Sequence, residues 1–125
     1  MAYYGHRVIA AKFLLFFWTI MDKEEALIAY LRGCPACPSP QGLRFLAAGE
    51  YNENYVVDCA DGPLVARLNH GSQLGLANQI EYEFKVLQAV APSGVTPKPL
   101  WVDSKPQGLD NGLMLMEYLP GGPLD

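Results

Sequence analysis

The sequence predicts an α+β domain: a five-stranded antiparallel sheet with one packed helix, preceded by a further helix and an apolar leader. Three observations carry this. Short runs rich in aliphatic, β-branched and aromatic residues fall at residues 43–48, 55–60, 64–68, 100–104 and 112–119, the lengths and compositions of strands. Between the third and fourth lies the segment "LGLANQIEYEFKVLQA", residues 76–91, whose apolar residues recur at helical spacing. Turn residues punctuate the strand runs where hairpins require them.

Taken in chain order, the leader comes first. Within residues 1–20 the stretch "VIAAKFLLFFWTI" is broken only by Lys12. The uncharged run from Phe13 to Met21 is shorter than the ~20 residues of a bilayer span. As a signal peptide it has Arg7 and Lys12 ahead of an apolar run, but "MDKEEAL" offers no small-residue cleavage site. Two further readings stand beside these: a membrane-touching amphipathic helix, and upstream sequence ahead of a natural start at Met21. Residues 21–42 then read as a helix and a proline-rich linker. Asp22 and Glu25 have capping-box spacing, Ala26, Leu27, Tyr30 and Leu31 follow at helical intervals, and Gly33 ends the run. The linker "CPACPSPQG" holds three prolines in nine residues, which excludes regular structure.

Residues 43–125 form the predicted domain. The first three strands make a meander, with Asp61-Gly62 as the tight turn between the second and third and Pro63 at a strand start, where a missing donor is tolerated. In the helix, Ile80, Phe84, Leu87 and Ala91 share one side. Glu83 sits on its margin, whereas Glu81 points to the polar side four residues before Lys85, the spacing of an exposed ion pair. The last two strands flank a polar loop ending in Asn111-Gly112, a second hairpin.

With 125 residues, half of them apolar, the chain has material for one core. Nine basic residues against thirteen acidic disfavour nucleic acid as a partner. Three cysteines, an odd number, do not make a secreted disulfide framework and point to a reducing cytoplasm. "CPAC" has the spacing of a redox or zinc pair, but it follows a helix where a redox pair would open one, and four zinc ligands would need Cys59, His6 or His70 as well. A structural role for these cysteines is the reading preferred.

The residue needing explanation is Arg67, a cation within an apolar strand. A half-buried guanidinium and a half-buried carboxylate each carry a desolvation penalty alone, so Arg67 is expected to pair with Glu83. Held this way, its fork would face phosphate oxygens. Val65, two residues earlier, shares its face and would lie against a flat apolar group. The blander alternatives are an Arg67 whose stem lies along the sheet with its head in water, and Asn52 and Asn54 acting as turn formers.

At this point the sequence resembles the aminoglycoside phosphotransferase and choline kinase family, whose fold is like that of protein kinases. The resemblance covers the smaller, N-terminal lobe and rests on "GEYNENYVV", "LVARLN", "NQIEYEFKVL", "SGVTPKPL" and "LMLMEYLPGGPL" in that order. It implies that Gly49 through Asn54, including Asn52, close over the ATP triphosphate with backbone donors. Arg67 would contact the α- and β-phosphates where protein kinases use lysine, and Glu83 would orient it. Met116 would back the adenine pocket, and the main chain of Glu117 and Leu119 would meet the adenine edge.

No His-Gly-Asp motif occurs in this sequence, and that motif carries the family's catalytic aspartate; a further aspartate holds Mg²⁺. The expectation is therefore an ATP-binding lobe, ending after the hinge and inactive by itself. Its partners would be the nucleotide and the catalytic lobe, or a second copy through an exposed apolar patch, with membrane contact through residues 1–20 a further option. The alternative from another class is a non-catalytic interaction module that keeps the lobe's shape.

Overall fold

The computed structural model describes residues 23–70, 78–110 and 112–119. The leader, the Asp22 cap, Asn111 and the "PGG" exit lie outside them. Within the described residues the order is a helix over residues 23–32 (α1), β1 (Gly42–Ala48), β2 (Asn52–Cys59), β3 (Gly62–Asn69), a helix (α2, Gln79–Val90), a 3-10 turn (Ala91–Ser93), β4 (Pro99–Asp103) and β5 (Gly112–Glu117). The five strands form one antiparallel sheet in the order β1-β2-β3-β5-β4. The last strand thus inserts beside β3, which places the predicted arginine strand at the centre.

The sheet has a helix on each face, where the sequence predicted one packed helix. On the first face, Tyr55, Val57, Ala66, Leu68, Leu113 and Leu115 meet Leu27 and Leu31 of α1 and the linker cysteines. Leu27 and Leu31 are fully buried, and each contributes roughly 1.5–3 kcal/mol by leaving water. Polar ties fasten the same helix. Lys23 pairs with Glu53, Tyr30 Oη donates to Asp103 Oδ2 at 2.7 Å, and Trp101 Nε1 donates to Tyr30 Oη at 2.9 Å. Burial pushes the Tyr30 hydroxyl up to about 12, with the Trp101 hydrogen bond opposing and Asp103 adding to the shift.

On the second face, α2 lies over β4 and β5. Ile80, Val65, Met114 and Met116 form the cluster there, with Phe84, Leu87, Val102 and Tyr118 at its edge. The close approach of α2 depends on Gly112, because a Cβ at that position would stand 2.7 Å from Ile80 Cγ2.

Three local expectations are corrected. β2 begins at Asn52 rather than Tyr55, because Asn52, Glu53 and Asn54 pair with Asn69, Leu68 and Arg67 and so extend the ladder. The β2–β3 turn is Ala60-Asp61, one residue earlier than expected: Gly62 already pairs with Cys59 and takes φ 116°, which suits a residue without Cβ. Glu81 and Lys85 form no ion pair. The salt bridges among the described residues are Lys23–Glu53, Arg44–Asp58 and Arg67–Glu83.

Candidate functional site

Opposed residues of antiparallel strands share a face, and the register fixes which ones. Asn54 lies opposite Arg67 and Arg67 opposite Met114, while Val56 lies opposite Val65 and Val65 opposite Met116. Asn54, Val65, Arg67 and Met116 therefore line the same face of the sheet, the one that α2 covers. Val65 and Met116 are buried and supply an apolar floor.

Arg67 stands at the border between this floor and α2. Its Nη1 lies 3.6 Å from Glu83 Oε2, with side-chain exposures of 31% and 20%. That separation is an ionic contact and too long for a hydrogen bond, which leaves Glu83 Oε2 buried without a hydrogen-bond partner among the described residues. Glu83 is steadied from its own helix: Gln79 Nε2 donates to Glu83 Oε1 at 3.3 Å, four residues away. On the other side Arg67 Nε donates to Asn54 Oδ1 at 2.9 Å. The guanidinium is thus held at two of its three nitrogens, and its Nη2 makes no hydrogen bond among the described residues.

A cleft of about 360 Å³ opens beside this pair, lined by Arg67, Tyr82, Glu83, Val86, Leu87, Pro97 and Met116. It is mostly apolar with one convergent charged pair, the mixture expected of a small-molecule site. A larger groove of about 920 Å³ runs between α1 and β1, lined by Glu24, Glu25, Arg32 and Gln41 among others. It lies away from the Arg67–Glu83 pair, and its charged side chains are ordinary helix-surface residues, so size does not make it the better candidate.

The structure gathers Arg67, Glu83, Met116, Val65 and Asn54 and leaves the other predicted residues apart. Gly49 is exposed in the β1–β2 turn, and its N–H donates to the Asn52 carbonyl at 2.8 Å. That donor closes the turn itself. Asn52 and Asn54 are strand residues rather than loop residues, and the Asn54 side chain is engaged by Arg67. Glu117 is exposed at the end of β5; its N–H donates to the Lys98 carbonyl at 2.9 Å and its Oε1 accepts from Lys98 N–H at 2.7 Å. This amide is committed to β4's approach and is not available to a base. Leu119 follows the strand and is half exposed.

Sequence reasoning missed Gln79, Tyr82, Val86 and Pro97. Tyr82 and Val86 sit four apart on α2 and flank Glu83, a spacing that could have marked them. Pro97 could not have been placed, because only the tertiary fold brings its loop to the cleft.

Comparisons with known proteins bear on the fold and the family. The chain is 34% identical over 108 residues to mouse acyl-CoA dehydrogenase family member 10, a match spanning 82% of this chain and 10% of that protein. Its backbone superposes on a crystal structure from Ralstonia eutropha, a protein whose assignment as an aminoglycoside phosphotransferase is itself inferred, with a TM-score of 0.57 and 21% identity over 78% of this chain and 28% of the other. The chain therefore spans about a tenth of one relative and just over a quarter of the other, and its sheet and helices match the kinase-like N-terminal lobe of the latter. The model of the phosphotransferase enzyme family matches residues 42–125, two thirds of the sequence and all five strands, and the chain belongs to that family.

Proposed function

We propose that residues 42–125 form the nucleotide-binding part of an ATP-dependent phosphotransferase acting on a small hydroxylated molecule. The observation that carries this reading is the Arg67–Glu83 pair beside an apolar floor, with the guanidinium anchored by Asn54 and Nη2 left to meet a phosphate oxygen. An arginine fixed at two nitrogens loses little further freedom when a polyphosphate arrives, which favours binding. The adenine ring would lie on Val65 against Met116. Mg²⁺ would enter with the ATP: among the described residues no group of three or more His, Cys, Asp or Glu side chains could hold a metal, and the Arg67 cation supplies charge for the phosphates only.

In this reading the base that positions the acceptor hydroxyl and the carboxylates that hold the metal belong to a second lobe. Tyr82, Val86 and Val90 are exposed along one side of α2, at spacings of four residues, and would pack on that lobe; in its absence they would pair with a second copy. Sizing chromatography of the chain is expected to show dimers or larger species, and a monodisperse monomer would count against this partner. We place the protein in the cytoplasm, where its free thiols stay reduced, with subcellular fractionation as the check. No helix among the described residues is long and apolar enough to cross a membrane.

Calorimetric titration with ATP and Mg²⁺ tests the function. Saturable binding is expected, weakened at least about tenfold, or ~1.4 kcal/mol, by Arg67→Ala. AMP should bind more weakly than ATP because it lacks the outer phosphates. Absence of saturable binding at roughly millimolar ATP, or equal affinity of wild type and Arg67→Ala, would overturn the reading.

A further inference from the structure

All three cysteines of the chain meet at one place, although Cys34 and Cys37 belong to the proline-rich linker and Cys59 ends β2. Cys37 and Cys59 hold their sulfur atoms 2.7 Å apart as free thiols, and both side chains are buried. Backbone bonds clamp this approach on both sides. Ala60 N–H donates to the Pro38 carbonyl at 3.0 Å, and Gln41 N–H donates to the Asp58 carbonyl at 2.7 Å. The residues next to each thiol are thus already paired across the same junction.

Cys34 differs in its surroundings. It is buried too, at 6% exposure, but it also lines a cleft of about 440 Å³ together with Tyr30, Trp101 and Gly108. Backbone N–H groups of Ala36 and Cys37 point at its sulfur and favour the thiolate, against a larger opposing effect of burial. Charge on Cys34 is felt by Cys37, and charge on Cys59 by both, which places the three sulfurs within one electrostatic neighbourhood.

We propose that Cys37 and Cys59 are an exchangeable dithiol, oxidised to a disulfide by small-molecule disulfides that enter at Cys34. In the first step the Cys34 thiolate attacks one sulfur of RSSR, the S–S bond breaks, and RS⁻ leaves and takes up a proton. Cys37 then displaces the second RS⁻ from Cys34 to give a Cys34–Cys37 bond. Cys59 attacks Cys37, forms the Cys37–Cys59 bond and returns Cys34 to a thiol. The two buried thiols lose two electrons and two protons in total, and RSSR becomes two RSH. The crosslink settles at Cys37–Cys59 because the backbone already holds those residues together. It fastens the linker, and with it α1, to the end of β2. Burial pushes the Cys37 thiol up to about 12, so the relay is slow compared with exchange at an exposed thiol.

The test uses the purified 125-residue chain, incubated folded with oxidised glutathione, alkylated and analysed by intact mass and peptide mapping. The expected product has lost about 2 Da, keeps one alkylatable thiol at Cys34 and contains a Cys37–Cys59 linked peptide. Cys34→Ser is expected to form the same link at least about tenfold more slowly. A Cys34–Cys37 link as the end product, a stable glutathione adduct, or three thiols that remain alkylatable would each overturn the proposal. An unchanged rate in Cys34→Ser would overturn the entry role of Cys34. The wild-type map alone decides which pair is linked.

Discussion

Arg67 is the residue on which the site turns, and its geometry assigns Asn54 a role different from a direct hold on phosphate. The Nε–Oδ1 hydrogen bond and the contact with Glu83 together set the plane of the guanidinium. Removing the Asn54 acceptor frees one side of that plane. Asn54→Ala is expected to destabilise the chain by about 1 kcal/mol, near the net worth of one partly exposed hydrogen bond. Under the proposed function it should also weaken ATP binding several-fold through added disorder in Arg67. Asn54→Asp keeps an acceptor oxygen and should retain most of the stability, while its negative charge beside the phosphates should weaken binding more than alanine does. Urea melts and nucleotide titrations on the two variants separate these effects. If alanine and aspartate lower affinity equally, the Asn54 side chain does not act by orienting the Arg67 guanidinium beside the phosphates.

At the scale of elements, the sheet and α2 were legible because their signals are local. Alternating apolar residues mark β3 and β5, and the spacing of Ile80, Phe84 and Leu87 marks the buried side of α2. The Arg67–Glu83 pair was legible for a different reason, since two charged misfits in neighbouring elements need a common explanation. What local patterns could not give was register. Asn52 and Asn54 look like turn residues until the pairing of β2 with β3 draws them into the ladder, and the commitment of the Glu117 amide to Lys98 exists only once β4 lies beside β5. The second packed layer escaped for a related reason: α1 is short and amphipathic, and nothing in its own residues says which surface it covers. Gly112 shows how tightly the elements then fit. Gly112→Ala would press a methyl group on Ile80, so α2 must shift or β5 must yield, at about 1–3 kcal/mol. Thermal melting should show the loss, and an unchanged midpoint would mean that α2 docks more loosely than these distances imply.

Across the whole molecule the sheet separates two regions of unlike chemistry. The α2 face carries the Arg67–Glu83 pair and its cleft, whereas the α1 face holds three groups whose ionisation is opposed by burial. Burial pushes Tyr30 and Tyr55 up to about 12, with Asp103 adding to the first and Glu53 and Glu24 to the second. Burial likewise pushes Cys37 up to about 12, with Cys59 and Cys34 adding to the shift. An acid whose folded-state value exceeds its unfolded value keeps its proton longer when folded, so the folded chain binds more protons than the unfolded one between the two values. Stability then falls as pH rises through that window. For Cys37 the loss starts near pH 9.0, for the two tyrosines near pH 10.0, and for all three it levels off only above about pH 12. Below pH 9.0 these groups contribute a constant amount. Urea midpoints measured under reducing conditions should therefore be flat on the neutral side of this window and drop steeply within it. The phenolate absorbance of Tyr30 and Tyr55, obtained by difference from Tyr30→Phe and Tyr55→Phe variants, should rise together with loss of far-ultraviolet circular dichroism, since these hydroxyls ionise when α1 leaves the sheet. Should the phenolate signal develop fully while the dichroism holds, Tyr30 and Tyr55 ionise in place, and α1 does not seal that face in the way its contacts require.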